Sequence, residues 1–520
     1  MRRFGMCGFF GLLVVFPVAA QHQPEAKKPE AKKPEGKIVS ETWDAAYLEG
    51  ARAGSVHTTV REYKVGDDTI LRARQELRLS VRRFGDVATM GAAKTTDETP
   101  SGLLLGVYFV MQAGKETQLD LRAPVENGNF NIKLAGPTVP GNQKEFTIPW
   151  AKDIIGLIQE EKQLKERKSK AGDSFSYRLF EPSVARVVKV QVDVKEVEKV
   201  VLSKGSRLLL RVEAKPERIG EVQLPGLTLW VDNEHRFVAS EAMMPGLGKL
   251  RLERTTKEVA TAAIDPSKLP DIGIGQALPL NTRIFNPHGR GTIVFRISLP
   301  EDKGDDPTKA FASGDGRQEI KNVEGKNFEL YVHPDRKPDP KGKNDKVPED
   351  FIKSNFFLTN DDPNVQELAK QAVGAETDPW RKAIKIERWV HNNMKVVDFS
   401  IAMAPASEVA RTLSGDCTEF SMLTAAMCKA QGIPARTALG YEYCEDRAGR
   451  PMLGFHMWTE VLINGGWQGL DATLGIGGVG SAHIKITDHS WYETRSLAPL
   501  LPVMRVMVAK PQIEVLSVEK

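Results

Sequence analysis

The run VVKVQVDVKEV, residues 187–197, constrains this chain more than any other stretch. Val188, Val190, Val192 and Val194 alternate with Lys189, Gln191, Asp193 and Lys195. A helix would scatter those valines around its axis. An extended strand gathers them on one dry face and leaves the other wet. The same period recurs in ELRLSVRR, where Leu77, Leu79 and Val81 alternate with Arg78, Ser80 and Arg82. GLTLWVDNEHRFVASEA reads as two strands around Asn233-Glu234, and GKLRLER follows. Antiparallel sheet is therefore expected over about residues 40–265. One charged helix near IIGLIQEEKQLKERKSK interrupts it, with its Lys and Glu side chains toward solvent. This half offers no nucleophile with a base, no metal-ligand cluster and no phosphate loop.

At 520 residues the chain is too long for one ordinary core, so several domains are expected. Its 72 basic and 68 acidic side chains nearly balance, and a formal charge of +4 gives no reason to invoke nucleic acid. Arg2 and Arg3 precede the apolar run FGMCGFFGLLVVFPVAA, which exits through small residues into QHQ. That is the pattern of a secretory signal peptide, residues 1–20, cut after Ala20. Left uncut, it would be the chain's membrane contact, though the run is short for a span. Export to the periplasm, cell envelope or medium is the expected location. Residues 21–38 repeat Pro, Glu, Ala and Lys and read as a solvated linker.

TIVFRISL and NFELYVH mark a smaller β-rich connecting region, 266–335, and RKPDPKGKNDKVPED a second linker, 336–350. Beyond it the period turns helical. Asp378-Pro379 is a cap followed by proline in the first turn, and Ala383, Ile386, Trp389 and Val390 then share a face. Ser407 can cap a short helix ending near Leu413. A third helix opens at SGDCTEF, with Phe420, Leu423 and Met427 on one face and Gly432 and Pro434 as its stop.

Cys417 falls in the first turn of that helix, where unpaired backbone N–H groups and the helix dipole favour negative charge on sulfur. Cys428, among apolar neighbours, reads as core. With Cys7 removed, Cys417, Cys428 and Cys444 are an odd set for an exported chain. A Cys428–Cys444 disulfide would leave Cys417 free, whereas a disulfide to Cys417 itself is the main rival to a reactive thiol. Two alternating runs follow, TALGYEYC and LGFHMWTEVLI, then Asn464-Gly465 and GWQGLDAT. Asn-Gly between alternating runs signals a two-residue hairpin turn. That register sets Trp458 opposite Asp471 and makes His456 the diagonal neighbour of Asp471 on one face. A three-residue turn would separate them.

Thiol at a helix N-terminus, imidazole on a strand and carboxylate on the next strand make a nucleophile, a base and an orienter: Cys417, His456 and Asp471. The N–H of Cys417 is the natural oxyanion donor. G415-D416-C417-T-E-F, G432-I-P-A-R, H456-M-W458-T-E-V and G466-W467-Q-G-L-D471-A-T resemble the transglutaminase-like superfamily. The resemblance spans about residues 350–490 and implies a papain-like thiol site. Met457 stands where the family often has Ala, and Ala472 where it often has Pro. Neither removes a reactive group.

The fold expected is α+β: a papain-like, transglutaminase-like domain at 351–520 behind an antiparallel β-rich domain at 39–265. The function expected is thiol-dependent acyl transfer on peptide or glutamine-type amides through a Cys417 thioester, with a protein or peptide substrate and with water favoured over an amine as acceptor, a cross-linking transglutaminase being the alternative within this class. A silent binding module using the β-rich half is the competing class. No cofactor is expected. Zinc is not expected, for no C-x₂-C or H-x₃-H pair seeds a site, and no calcium-loop pattern occurs. GIGGVG, residues 475–480, fits a dinucleotide fingerprint in letters only, since SAHIKITDH after it alternates like a strand. His288, His333, His391, His483 and His489 are expected at the surface or in packing. Trp458 and Trp467 are read as packing, and Arg436 as a structural ion pair.

Overall fold

The computed structural model describes residues 36–83, 86–113, 116–136, 143–219, 222–244, 247–269, 277–334, 337–339, 347–396, 404–446, 448–492 and 500–520. The signal-peptide reading and most of both linkers lie outside the described residues. No helix among those described is long and apolar enough to cross a membrane. The chain divides into two compact units between Ile272 and Gly273.

The first unit is built on one 15-stranded sheet, with a separate short pair of Arg218–Ile219 and Val222–Gln223. Eight strands run from Lys37–Leu48 to Gln143–Pro149 as successive antiparallel neighbours. The rest of the unit enters at the far end of the sheet with Ile154–Ile155 and works back. Its last strand, Gly248–Thr255, closes on the first, pairing Ala46 with Leu252 and Leu48 with Leu250. Val188, Val190, Val192 and Val194 are all buried, as their alternation requires. A sheet this wide must curl. Phe130 and Phe180, on strands near opposite ends of the order, meet at 5.0 Å between ring centroids. The helix Leu157–Glu166 lies within the curl. Glu98 accepts from the N–H groups of Ile158 and Gln159, and Tyr177 donates to Glu160 at 2.8 Å. Glu160 is thus buried and does not face solvent as the charge pattern suggested.

Among the described residues the second unit holds two larger sheets, a short parallel pair of Lys395–Val396 with Ser414–Gly415, and a helical cluster. In the first sheet Pro451–Ile463 lies beside Ala435–Glu445, which pairs on its other side with His483–His489. Gly466–Leu470 and the short Leu278–Pro279 share the remaining edge of Pro451–Ile463. In the second sheet Ile293–Ser298 stands between Asn327–Val332 and the C-terminal strand Gln512–Val518. The stretch 266–335, read from sequence as a small β-rich connecting region, supplies four strands to this unit, Leu278–Pro279, Ile293–Ser298, Gln318–Glu324 and Asn327–Val332. Arg317 Nη2 donates to His483 O at 2.6 Å, and Gln318 bonds both N–H and C=O of Lys485. The helix Cys417–Ala430 packs against Pro451–Ile463 and is covered by the helices Pro363–Val373, Pro379–Asn393 and Ala406–Thr412. Every residue from Glu419 to Lys429 is buried, so this helix is the centre of the core rather than an amphipathic surface element.

Candidate active site

The turn before Cys417 is built by its neighbours. Asp416 caps the helix by accepting from Thr418 N–H at 2.9 Å, and Glu419 returns the bond from Asp416 N–H at 3.0 Å. This reciprocal capping box satisfies backbone donors that would otherwise be orphaned. Glu419 also accepts from Ala404 N–H. Burial, with the Asp416 charge beside it, pushes the Glu419 carboxyl up to about 8. Gly415 is required here because a Cβ would stand 2.3 Å from Cβ of Glu419. Cys417 then opens the helix, half-buried and free of any disulfide. Ser421 Oγ bonds Cys417 O and Met457 O, and Thr459 Oγ1 donates to Ser421 O, which fastens the helix to the strand carrying His456.

The hairpin has the two-residue turn. Ile463 pairs with Gly466, and Asn464 and Gly465 take φ of 52° and 80°, the doubly left-handed turn that Asn-Gly favours. Thr459 opposite Leu470 is the last pair, so Trp458 and Asp471 follow in line. His456 Nε2–H donates to Asp471 Oδ2 at 2.8 Å. With Nε2 committed to Asp471, Nδ1 is the nitrogen left for Cys417, whose side chain adds to the rise at His456. Burial works against a charged imidazole, but the Asp471 and Glu442 carboxylates outweigh it and hold His456 well above its ordinary value. Burial likewise opposes charge on Asp471, yet the two histidines at its oxygen keep it well below the ordinary carboxylate range.

Several residues at this site escaped the sequence reading. His483 Nε2–H donates to the same Oδ2 at 2.9 Å. Thr473 holds the other oxygen, with its N–H at 2.9 Å and Oγ1 at 2.6 Å from Oδ1. Asp471 thus accepts four bonds, a carboxylate's full complement. Glu387, from the helix Pro379–Asn393, accepts from the N–H groups of Asp471 and Gly477 and is pushed by burial to about 7. His391 bonds Ala472 O at 3.0 Å. The glycine-rich 475–480 segment is accordingly a loop gripped by this helix, with Gly475 at φ 64° and Gly477 at φ 78°. The D-A-T triplet was the only sequence hint of Thr473. His483 had none, because its orientation depends on an irregular strand pair. A register shift at Leu439/Gly440 sets His483 opposite Glu442, on the face that carries His456. A regular ladder would have turned it to the other face.

The remaining residues keep structural places. Cys428 is fully buried, Cys444 is exposed, and both are free thiols. Trp458 is buried; Trp467 stacks under the Arg436 guanidinium at 3.9 Å. Arg436 pairs with Glu460 and Asp488.

Residues 366–472 match the transglutaminase-like superfamily. The second unit carries a transglutaminase-like core. No curated protein matches the chain. Among solved structures it is similar to a proposed cysteine protease from Cytophaga hutchinsonii, at 17% identity over 43% of this chain and 82% of that one, with a TM-score of 0.29. A β-barrel-like protein of a domain of unknown function from Brucella abortus follows, at 15% identity over 42% and 95%, TM-score 0.29. The periplasmic domain of TgpA from Pseudomonas aeruginosa aligns at 15% identity over 36% and 92%, TM-score 0.20. The match over residues 366–472 supports a thiol enzyme of the transglutaminase-like superfamily.

Proposed function

We propose that the protein is an exported thiol hydrolase of amide bonds in peptides or proteins, working through a thioester on Cys417. The line from Cys417 through His456 to Asp471 carries the reading. Cys417 Sγ attacks the amide carbonyl carbon while His456 Nδ1 takes the thiol proton, and the charged imidazole is steadied by Asp471. The Cys417 N–H donates to the developing oxyanion. His456 passes its proton to the leaving amine, which departs and leaves the acyl group on sulfur. Water then attacks the thioester with His456 as base, releasing the acid and the thiol.

Water is favoured over an amine as second acceptor because a lysine amine, titrating at about 10.4, is scarce in neutral form at neutral pH. Cross-linking would need a site that excludes water and admits that minority species. The signal-like N-terminus supports export, so envelope or secreted polypeptides are the substrates proposed. The reacting groups named here all lie in the second unit. The test offers glutamine-containing peptides together with a labelled primary amine. Free acid should dominate; amine adducts in excess would make the protein a cross-linker. No turnover with any amide would turn the reading to a silent binding module.

A further inference from the structure

Glu442, His456, Asp471 and His483 each present one metal-ligating atom to a common point, and the four atoms lie within 4.8 Å of one another. His456 Nε2 stands 2.8 Å from Asp471 Oδ2 and 3.6 Å from Glu442 Oε2, and His483 Nε2 is 2.9 Å from Asp471 Oδ2. Four ligands set tetrahedrally at ~2.0–2.1 Å from zinc lie about 3.3 Å apart. Small outward shifts of these side chains would therefore admit an ion. Two imidazoles with two carboxylates suit zinc or cobalt(II) better than calcium or magnesium, which take oxygen alone.

Two further observations point to a ligand rather than a self-contained network. The half-buried Glu442 carboxylate faces His456 with one oxygen and His288 with the other, each at 3.6 Å. Both separations exceed a hydrogen bond, so its carboxyl group faces the cluster without closing on either ring. The His483 ring is fully buried, and its Nδ1 has no hydrogen-bond partner. With no acceptor at Nδ1, the bond to Asp471 is what holds the proton on Nε2, and an ion bound there would replace that bond and move the proton to Nδ1. Asp471, meanwhile, is oriented by Thr473 through Oδ1, leaving Oδ2 toward the centre, as outer partners orient metal ligands.

We propose that this cluster is a divalent-metal site of the zinc class and that its occupation reversibly silences Cys417. The silencing rests on the thiol-enzyme reading above. An ion on His456 Nε2 displaces the proton from that nitrogen. The ring keeps one proton, now on Nδ1, the nitrogen that must accept from the thiol. Asp471 Oδ2 is occupied by the same ion, so Cys417 loses both its base and the base's orienter.

The test uses the full chain without a polyhistidine tag, stripped with chelator. Calorimetry with zinc chloride should find one ion per chain, and cobalt(II) should give the visible bands of a four-coordinate site. Cys417→Ala should bind as the parent does. Glu442→Gln and His483→Ala should each weaken binding at least about tenfold, a loss that removal of even an outer partner can reach. If His483→Ala does not fold, Glu442→Gln decides. Zinc should slow alkylation of Cys417, and chelator should restore it. Absence of zinc binding, equal binding by the Glu442 variant, or loss of binding in Cys417→Ala would overturn the site. Binding with unchanged alkylation would overturn the silencing. A Cys417 inert with and without metal would count against the thiol enzyme, while calorimetry still judges the metal.

Discussion

His483 donates to Asp471 through the same carboxylate oxygen that holds His456, at 2.9 Å against 2.8 Å. The orienting acid is therefore shared between two rings of unlike charge preference. Burial pushes His483 down to about 4, so it stays neutral, while His456 is held well above its ordinary value. Of the two rings, the one beside Cys417 is the one equipped to carry a proton.

Replacing Asp471 with Asn keeps the shape but removes the charge that supports an imidazolium on His456. Turnover and the alkylation rate of Cys417 should both fall on the order of a hundredfold or more, with the fold retained but a lower melting transition, because an amide accepts at only one of the two positions Asp471 uses. A variant that folds and keeps full activity would remove Asp471 from the mechanism.

The three cysteines should separate by environment. Cys417 is half-buried beside an imidazole, Cys428 is fully buried, and Cys444 is exposed. Burial pushes the Cys428 thiol far up, and at Cys444, whose surface is only partly shielded from water, that shielding and the Glu442 charge raise the thiol. Limiting iodoacetamide at neutral pH, read by peptide mass, should mark Cys417 first and Cys444 only as pH rises, with Cys428 untouched in the folded chain. Cys444 marked first would reverse the assignment.

Much of this site was legible in the sequence because the signals were local. Asn464-Gly465 specified a turn, and the turn specified which face Asp471 shares with His456. Asp416 before Cys417 specified the helix start. The missing partners come from elsewhere in the chain. Glu387 reaches Asp471 from a different helix, and His483 reaches it through a strand irregularity that no alternation pattern encodes. The four clustered ligands lie 12 or more residues apart along the chain, so no short metal motif announced them. In the first unit alternation marked each strand but not its neighbours. Lys37–Leu48 pairs with Gly248–Thr255, a contact set by the whole sheet.

Stability toward acid should depend on Glu460. Burial opposes its charge, but Lys485 and Arg436 at its carboxylate prevail and pull it down to about 2 from an ordinary 4.5. The folded state then binds fewer protons than the unfolded between those values, so the gain is full above pH 4.5 and vanishes as pH falls toward 2. Its size is on the order of 3 kcal/mol. Glu460→Gln should be less stable than the parent at pH 7, and urea melts should show the gap closing between pH 4.5 and 2. A gap independent of pH would exclude the ion pair as its source.

Domain boundaries follow from the strand pairing. The linker at 336–350 suggests a cut near residue 345, yet that cut removes Arg317, Gln318 and Ile293–Ser298, the strand beside Gln512–Val518. A chain starting at residue 277 should fold and keep Cys417 reactive, whereas one starting at 347 should be insoluble or molten by near-ultraviolet dichroism. Equal folding of both would show that the second sheet is dispensable.

The central claim is that an acyl group passes through Cys417 with His456 as its base. Mixing the full chain with a short-chain nitrophenyl ester, quenching in acid within the first turnover and mapping the adduct by mass tests it without knowledge of the natural substrate. The account predicts one acyl group on the peptide containing Cys417, removed by hydroxylamine, absent in Cys417→Ala and much slower to form in His456→Ala. Acyl groups on Cys444 alone, or turnover with no acyl-enzyme and undiminished in Cys417→Ala, would contradict it.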